Sequence, residues 1–173
     1  YGASDSQKEK LFNEMSQNLI NCGVGFSEYF GSRDSSDLSI SNNKITGRTL
    51  FVLDIDFASH VMLCDKKGQI GLVSLESKGI EIIDLTTVDK TRTYKEMIFK
   101  DTPIEILDKT KTSIEAAEMA LSAGRIVAAA DSLGASQAMI NKAVEYSKER
   151  KQFNRVIGSF QAVKHMCAEM PAE

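Results

Sequence analysis

The sequence predicts an α+β protein: one short helix, then an antiparallel β barrel or sandwich, then long helices of a helical-bundle kind. Two observations carry this reading. Between Gly23 and Leu107, short apolar or alternating runs follow one another, separated by turn formers. Near Thr112 the hydrophobic period changes from that of strands to that of helices, and no Pro interrupts it as far as Phe153.

The elements follow in order. Ser4-x-x-Gln7 has the form of a capping box, and Leu11, Met15 and Ile20 lie at helical spacing behind it, so a first helix is expected to end near Asn21. The runs GVGFS, DLSIS, KITG, TLFVL, HVMLC, IGLVSL, GIEIID and TYKEMIF read as strands, with turns at SNN, DKKGQ and SKG. No helical pattern separates them, which argues against a doubly wound nucleotide-binding domain. Thr112-x-x-Glu115 reads as a second capping box, opening a helix that runs to about Phe153. Ile126, Ala130, Leu133, Ile140 and Val144 share one face of it, interrupted by Gln137. Around IVAAADSLGASQAMI the helix is apolar or small all round, the pattern of burial between other helices, and Gly134 there costs about 1 kcal/mol of helix propensity. Ser159 is the expected N-cap of a last helix, FQAVKHMCAEM, stopped at Pro171. Both ends read as cut.

Composition narrows the function. Hydrophobic residues make up 42% and charged residues 26%, the balance of a soluble globular chain. A net charge of −3 gives no basic face for nucleic acid. No run of about 18 apolar residues offers a membrane span, and the N-terminus lacks the layout of a signal peptide. Cys22, Cys64 and Cys167 are odd in number, far apart and set among apolar residues, as buried reduced thiols of a cytoplasmic protein would be. His60 and His165 have no ligand-spaced companions, so no metal site is expected. Neither a Gly-rich phosphate loop nor a nucleophile elbow is present.

One stretch carries more. From Gly124 to Met170 the sequence has Arg125, the small step Leu133-Gly134, then Ala143, Tyr146, Arg150, Gln152, Phe153, Ile157, Phe160 and Gln161 in one register. This resembles the acyl-CoA dehydrogenase family. Upstream, Phe26-Ser27-Glu28, Gly47-x-x-x-Phe51 and VDKTRTYKEMIFKD are similar to the family's middle β domain. The resemblance covers essentially the whole chain but only the centre of a longer family chain. It implies that 1–22 end an N-terminal helical domain, 23–108 form the middle β domain and 109–173 begin a C-terminal four-helix-bundle domain.

The resemblance implies an FAD enzyme that dehydrogenates an acyl-CoA thioester between Cα and Cβ, as in fatty-acid β-oxidation, with hydride passing to flavin N5. It implies acyl-CoA as substrate, electron-transfer flavoprotein as acceptor, and a dimer or tetramer through the C-terminal helices. On the β domain it assigns Ser27 to the flavin's N1/O2 edge, with backbone groups of Val24 and Phe26 nearby, and Phe51 beside the ring. Leu53 stands where the family commonly has Thr or Ser donating to the flavin. Tyr29-Phe30 replace a usual Pro-Gly, and Asn154 a usual Gly. Arg33, Leu121 and Arg125 are assigned to substrate. In some branches the catalytic Glu precedes that arginine, but here Gly124 does, so the base is expected later in the chain. Arg150, Gln152 and Phe153, with Phe160 and Gln161, are assigned to the FAD pyrophosphate and adenine across a dimer interface. Arg125 and Arg150 would lie ~37 Å apart on one continuous helix, too far to serve a compact ligand from a single chain. Leu53 and Gly124 also allow a flavin-poor, non-catalytic partner subunit of a heteromeric enzyme, and an oxidase of the same fold remains a third reading.

Overall fold

The structure, a computed structural model, describes residues 1–31 and 37–170. It divides into two compact units, Tyr1–Ala120 and Leu121–Glu173.

In the first unit, helix α1 (Asp5–Ser16) opens with the expected capping box. The Gln7 N–H donates to Ser4 Oγ at 3.5 Å, and the Ser4 N–H donates to Gln7 Oε1 at 3.1 Å. The same Gln7 side chain accepts from the Asp108 N–H and donates to the Ile106 carbonyl, each at 3.0 Å, fastening the helix to the sheet. The helix stops at Ser16 rather than near Asn21, because Asn18 turns left-handed at φ 56°. Ile20 is buried outside it.

Eight strands follow: β1 (Cys22–Gly25), β2 (Ser39–Ser41), β3 (Lys44–Leu53), β4 (His60–Cys64), β5 (Ile70–Ser74), β6 (Ile80–Leu85), β7 (Tyr94–Pro103) and β8 (Glu105–Ile106). They form one sheet in the order β6-β7-β3-β1-β4-β5-β8, with β2 on β3. KITG and TLFVL prove to be a single ten-residue strand, irregular between Ile45 and Gly47 and between Thr49 and Val52. The two residues of β8 carry no readable pattern. The sheet is mixed: its strand pairs are antiparallel except β1 and β4, which run parallel, Cys22–Gly25 against His60–Cys64. The reason is order rather than crossover helices. The chain reverses once to reach β3 and again to reach β4, and β1 fills the slot between them.

Leu63, Val73, Met97 and Phe99, from β4, β5 and β7, share one buried cluster, so the sheet curls over its own inner face. Asparagines and glycines close its turns. Asn42 and Asn43 at φ 51° and 57° match the left-handed pair of a tight hairpin. Asp65 Oδ1 accepts from the N–H groups of Lys67 (2.9 Å) and Gln69 (3.0 Å) to shape the next. The outer face carries a second cluster including Phe26, Cys64, Leu72 and Ala117, capped by the start of α2 (Glu115–Glu149).

That helix starts differently from expectation. Its first turn closes from Glu118 N–H to Ile114 carbonyl, and the Glu115 N–H takes Ser113 Oγ at 3.2 Å. Thr112 ends a 3-10 turn over Asp108–Lys111 and lies too early to cap.

In the second unit, α2 ends at Glu149, not Phe153. A two-strand hairpin follows, β9 (Lys151–Gln152) and β10 (Arg155–Val156). Phe153 and Asn154 at φ 53° and 61° form its turn, so the position where the family usually has Gly demands left-handed backbone. The last helix, α3 (Gln161–Glu169), has Phe160 as N-cap. Ser159 instead donates to the Val156 carbonyl at 2.7 Å inside a 3-10 turn, which removes it from the capping role. Pro171 lies outside the described residues. Within this unit Ile126, Val127 and Leu133 are 71%, 68% and 73% exposed, so the apolar face of α2 is uncovered. Among the described residues, no helix is long and apolar enough to cross a membrane, and no three or more His, Cys, Asp or Glu gather as for a metal.

Candidate functional site

Strand register builds a surface on the outer face of the sheet. Tyr94 on β7 lies opposite Leu53 on β3, Leu53 opposite Val24 on β1, and Val24 opposite Met62 on β4. Residues opposite one another in a ladder share a face, so these four form one apolar row. Val24 is flanked by Gly23 and Gly25, and a Cβ on Gly25 would meet the buried Leu63 and Val52. The glycines therefore face inward and Val24 outward, 41% exposed. Met62 packs against the covered outer cluster, whereas Val24, Leu53 and Tyr94 stand at its open side.

Phe51 joins this row through the irregularity in β3. Its backbone takes φ 58°, a region that costs a bulky residue about 1–3 kcal/mol. The ring remains 46% exposed while the next residue, Val52, is fully buried. Tyr94 meets it edge-on, with ring centroids 6.2 Å apart and planes at 83°. Phe51 is thus a strained, solvent-facing aromatic at one of the two irregularities of β3.

Polar groups border the row. Just beyond β1, Ser27 Oγ lies 3.0 Å from Thr49 Oγ1, and Thr49 is fully buried. If Thr49 donates in this pair, the Ser27 proton is left for another acceptor. Glu28 is buried with Lys66 Nζ 3.8 Å from its carboxylate. The Tyr29 hydroxyl donates to the Glu118 carboxylate in the first turn of α2. That bond, burial and the carboxylate's charge together push its phenol up from 10.0 to about 12. Lys95 lies between Asp56 (2.6 Å) and Asp84 (2.5 Å), which raise its pKa, and it ties β7 to β6 and to the loop after β3. Burial, with Asp65 adding, pushes the Cys64 thiol up to about 12, so it holds its proton and is no nucleophile.

The second unit holds its own cluster. The Ile157 N–H donates to the Arg150 carbonyl at 2.8 Å, folding the hairpin back on the end of α2. Gly158 is required there: a Cβ would sit 2.9 Å from the Ser147 carbonyl oxygen. The Phe153 ring meets Phe160 edge-on at 6.2 Å, and the Arg155 guanidinium stacks 3.9 Å from the Phe160 centroid.

Of the residues singled out from sequence, Val24, Phe51 and Leu53 come together on the open outer face, with Ser27 at the end of β1. The Phe26 side chain is buried in the outer cluster. In the second unit, Arg150, Gln152, Phe153 and Gln161 are exposed and Phe160 is half-buried, with Phe153 against its ring. Leu121 is half-buried and Arg125 exposed on α2, and Arg33 lies outside the described residues. Thr49, Tyr94 and Arg155 were not singled out. TLFVL and TYKEMIF place the first two on strands, but only the register reveals their neighbours.

Comparison with known proteins agrees with this architecture. Residues 114–173 match the family model "Acyl-CoA dehydrogenase, C-terminal domain". A 3-(aryl)acrylate reductase of Clostridium sporogenes is 27% identical over 96% of this chain and 49% of its own length. The caffeyl-CoA reductase-Etf complex subunit CarC of Acetobacterium woodii is 28% identical over 72% of this chain and 29% of its own. Among solved structures, butyryl-CoA dehydrogenase from Megasphaera elsdenii superposes with TM-score 0.81 over 98% of this chain and 49% of its own, at 22% identity, a likeness of fold. A mixed sheet followed by long helices is the layout of that family's middle and C-terminal domains, and the chain is similar to the acyl-CoA dehydrogenase family, whose C-terminal-domain model matches residues 114–173. It spans half or less of the length of these relatives.

Proposed function

We propose that this chain is the flavin-binding middle of an oxidoreductase acting on the Cα–Cβ bond of an acyl-CoA thioester, with FAD as cofactor. The observation that carries the proposal is the uncovered row Val24–Leu53–Tyr94 with the strained Phe51 beside it. A flat apolar surface bordered by the Ser27–Thr49 hydroxyl pair fits an isoalloxazine, which is apolar on its face and polar along one edge.

Each residue then has a task. Val24, Leu53 and Phe51 present the apolar support and exclude water from it. Ser27 holds the polar edge, its hydroxyl oriented by Thr49. Bound there, the flavin supplies the hydride acceptor that no side chain can provide. Leu53 offers no side-chain donor, so that part of the site must differ from a Thr- or Ser-bearing relative. In the second unit, Arg150 with Gln152, Phe153, Phe160 and Gln161 forms the cationic and aromatic group suited to a pyrophosphate and an adenine. Arg33, Leu121 and Arg125 are assigned to the thioester side, and the base to a carboxylate other than position 124. The exposed apolar residues of α2 support assembly into a dimer or tetramer through the C-terminal helices, on a cytoplasmic protein. The name of the CarC relative supports an electron-transfer flavoprotein as redox partner.

The test is anaerobic addition of saturated short-chain and aryl-propionyl CoA thioesters to the full-length parent protein. Loss of oxidised-flavin absorbance is expected. A flavin-loaded protein that no thioester bleaches would contradict the proposed reaction, and a protein that takes up little FAD would make it the flavin-poor, non-catalytic partner subunit instead. A protein that takes up no FAD at all would end the reading.

A further inference from the structure

We infer that Tyr94 is a second cofactor-contacting residue of this face: its ring sets the position of Phe51, and its phenol supplies the donor that the neighbouring Leu53 lacks. This rests on the flavin reading above and goes beyond it to a residue given no role from the sequence.

Three observations meet at this position. Tyr94 is directly opposite Leu53, so the two side chains leave the sheet on the same face. Its ring packs edge-on against Phe51, the one aromatic held at positive φ in the strand. Without a neighbour on that side, the exposed Phe51 ring would be free to swing over the surface it borders. The phenol itself forms no hydrogen bond among the described residues, although a half-buried tyrosine usually keeps its hydroxyl partnered. A group with an apolar body against Phe51 and an unused donor at its tip suits the border between a ring face and its polar rim.

The backbone beneath is fixed. Lys95, the next residue, points to the opposite face, where Asp84 on β6 and Asp56 after β3 hold it. The pairing of β7 with β3 continues to Leu53, so Tyr94 cannot slide without breaking this ion-pair group. Its position is therefore imposed from the far side of the sheet, and its outward face is free for binding.

The experiment uses the full-length protein with Tyr94→Phe, which keeps the ring, and Tyr94→Leu, which removes it. FAD affinity is measured by absorbance titration of the apoprotein, and the flavin midpoint potential by equilibration with a reference dye. Tyr94→Phe should bind FAD roughly three- to tenfold more weakly, the worth of one hydrogen bond. It should also shift the potential to more negative values, since a donor at the polar edge favours the electron-rich reduced form. The apoprotein's thermal midpoint should not move, which a merely structural role would require it to do. Tyr94→Leu should weaken binding further. A Tyr94→Phe protein with the parent's affinity and potential overturns the donor role, and Tyr94→Leu behaving like Tyr94→Phe overturns the ring role. A parent that binds no FAD overturns this inference together with the reading it rests on, whereas a normal parent with silent variants overturns this inference alone.

Discussion

Phe51 shows how one residue can trade local comfort for surface shape. Its left-handed backbone is one of two irregularities in β3, and the other is at Gly47. Gly47 takes φ 114°, and a Cβ there would lie 2.3 Å from the Asp37 carbonyl oxygen. Backbone cannot move away as a flexible side chain could, so Gly47→Ala should destabilise the protein by about 2–4 kcal/mol, read from chemical unfolding. Both residues stood out in the sequence as Gly47-x-x-x-Phe51, but their backbone angles did not. Thr49 and Tyr94 were illegible for a related reason: a strand pattern tells which side a residue faces, not which residue lies opposite. Tyr29 gives a pH-dependent prediction. Its phenol rises from 10.0 unfolded to about 12 folded, so the neutral form is favoured by folding. The contribution is complete below pH 10 and lost as pH climbs through about 12. Tyr29→Phe should flatten the fall in stability across that window, and an unchanged alkaline slope would remove Glu118 as its partner.

At the scale of elements, hydrophobic period carried most of the reading and geometry at the joints carried the rest. HVMLC became β4 residue for residue, and a helix after Thr112 was visible from period alone. The errors lie where chain direction changes. Nothing in KITG and TLFVL said that the two runs continue through an irregularity rather than a turn. The last residues expected in α2 form a hairpin instead, because Phe153 and Asn154 turn left-handed, which no helix interior allows. Ser159 looked like a cap by type, yet its hydroxyl bonds backward to Val156. That hairpin has its own expected outcome. Arg150→Ala in the full-length protein should weaken FAD binding about tenfold or more if its guanidinium engages the pyrophosphate. Absorbance titration reads this, and unchanged affinity would leave Arg150 with the backbone role it already has toward Ile157.

For the molecule as a whole, the two units differ in what they bury. The first has a continuous core under a curled sheet. The second exposes Ile126, Val127, Leu133 and Met139 along α2, and each is worth about 25 cal/mol per Å2 when covered. The chain studied as these 173 residues should therefore associate in solution, and light scattering showing a clean monomer would contradict this. The central claim concerns the other unit: the outer face around Val24 is a flavin platform. The most direct test is FAD titration of the full-length Val24→Asp variant, followed by absorbance, with circular dichroism as the control for folding. Val24 is 41% exposed, so a carboxylate is tolerated by the fold while placing charge in the middle of the apolar row. A folded variant that no longer takes up FAD is the expected result, and a variant binding FAD as tightly as the parent would contradict the account.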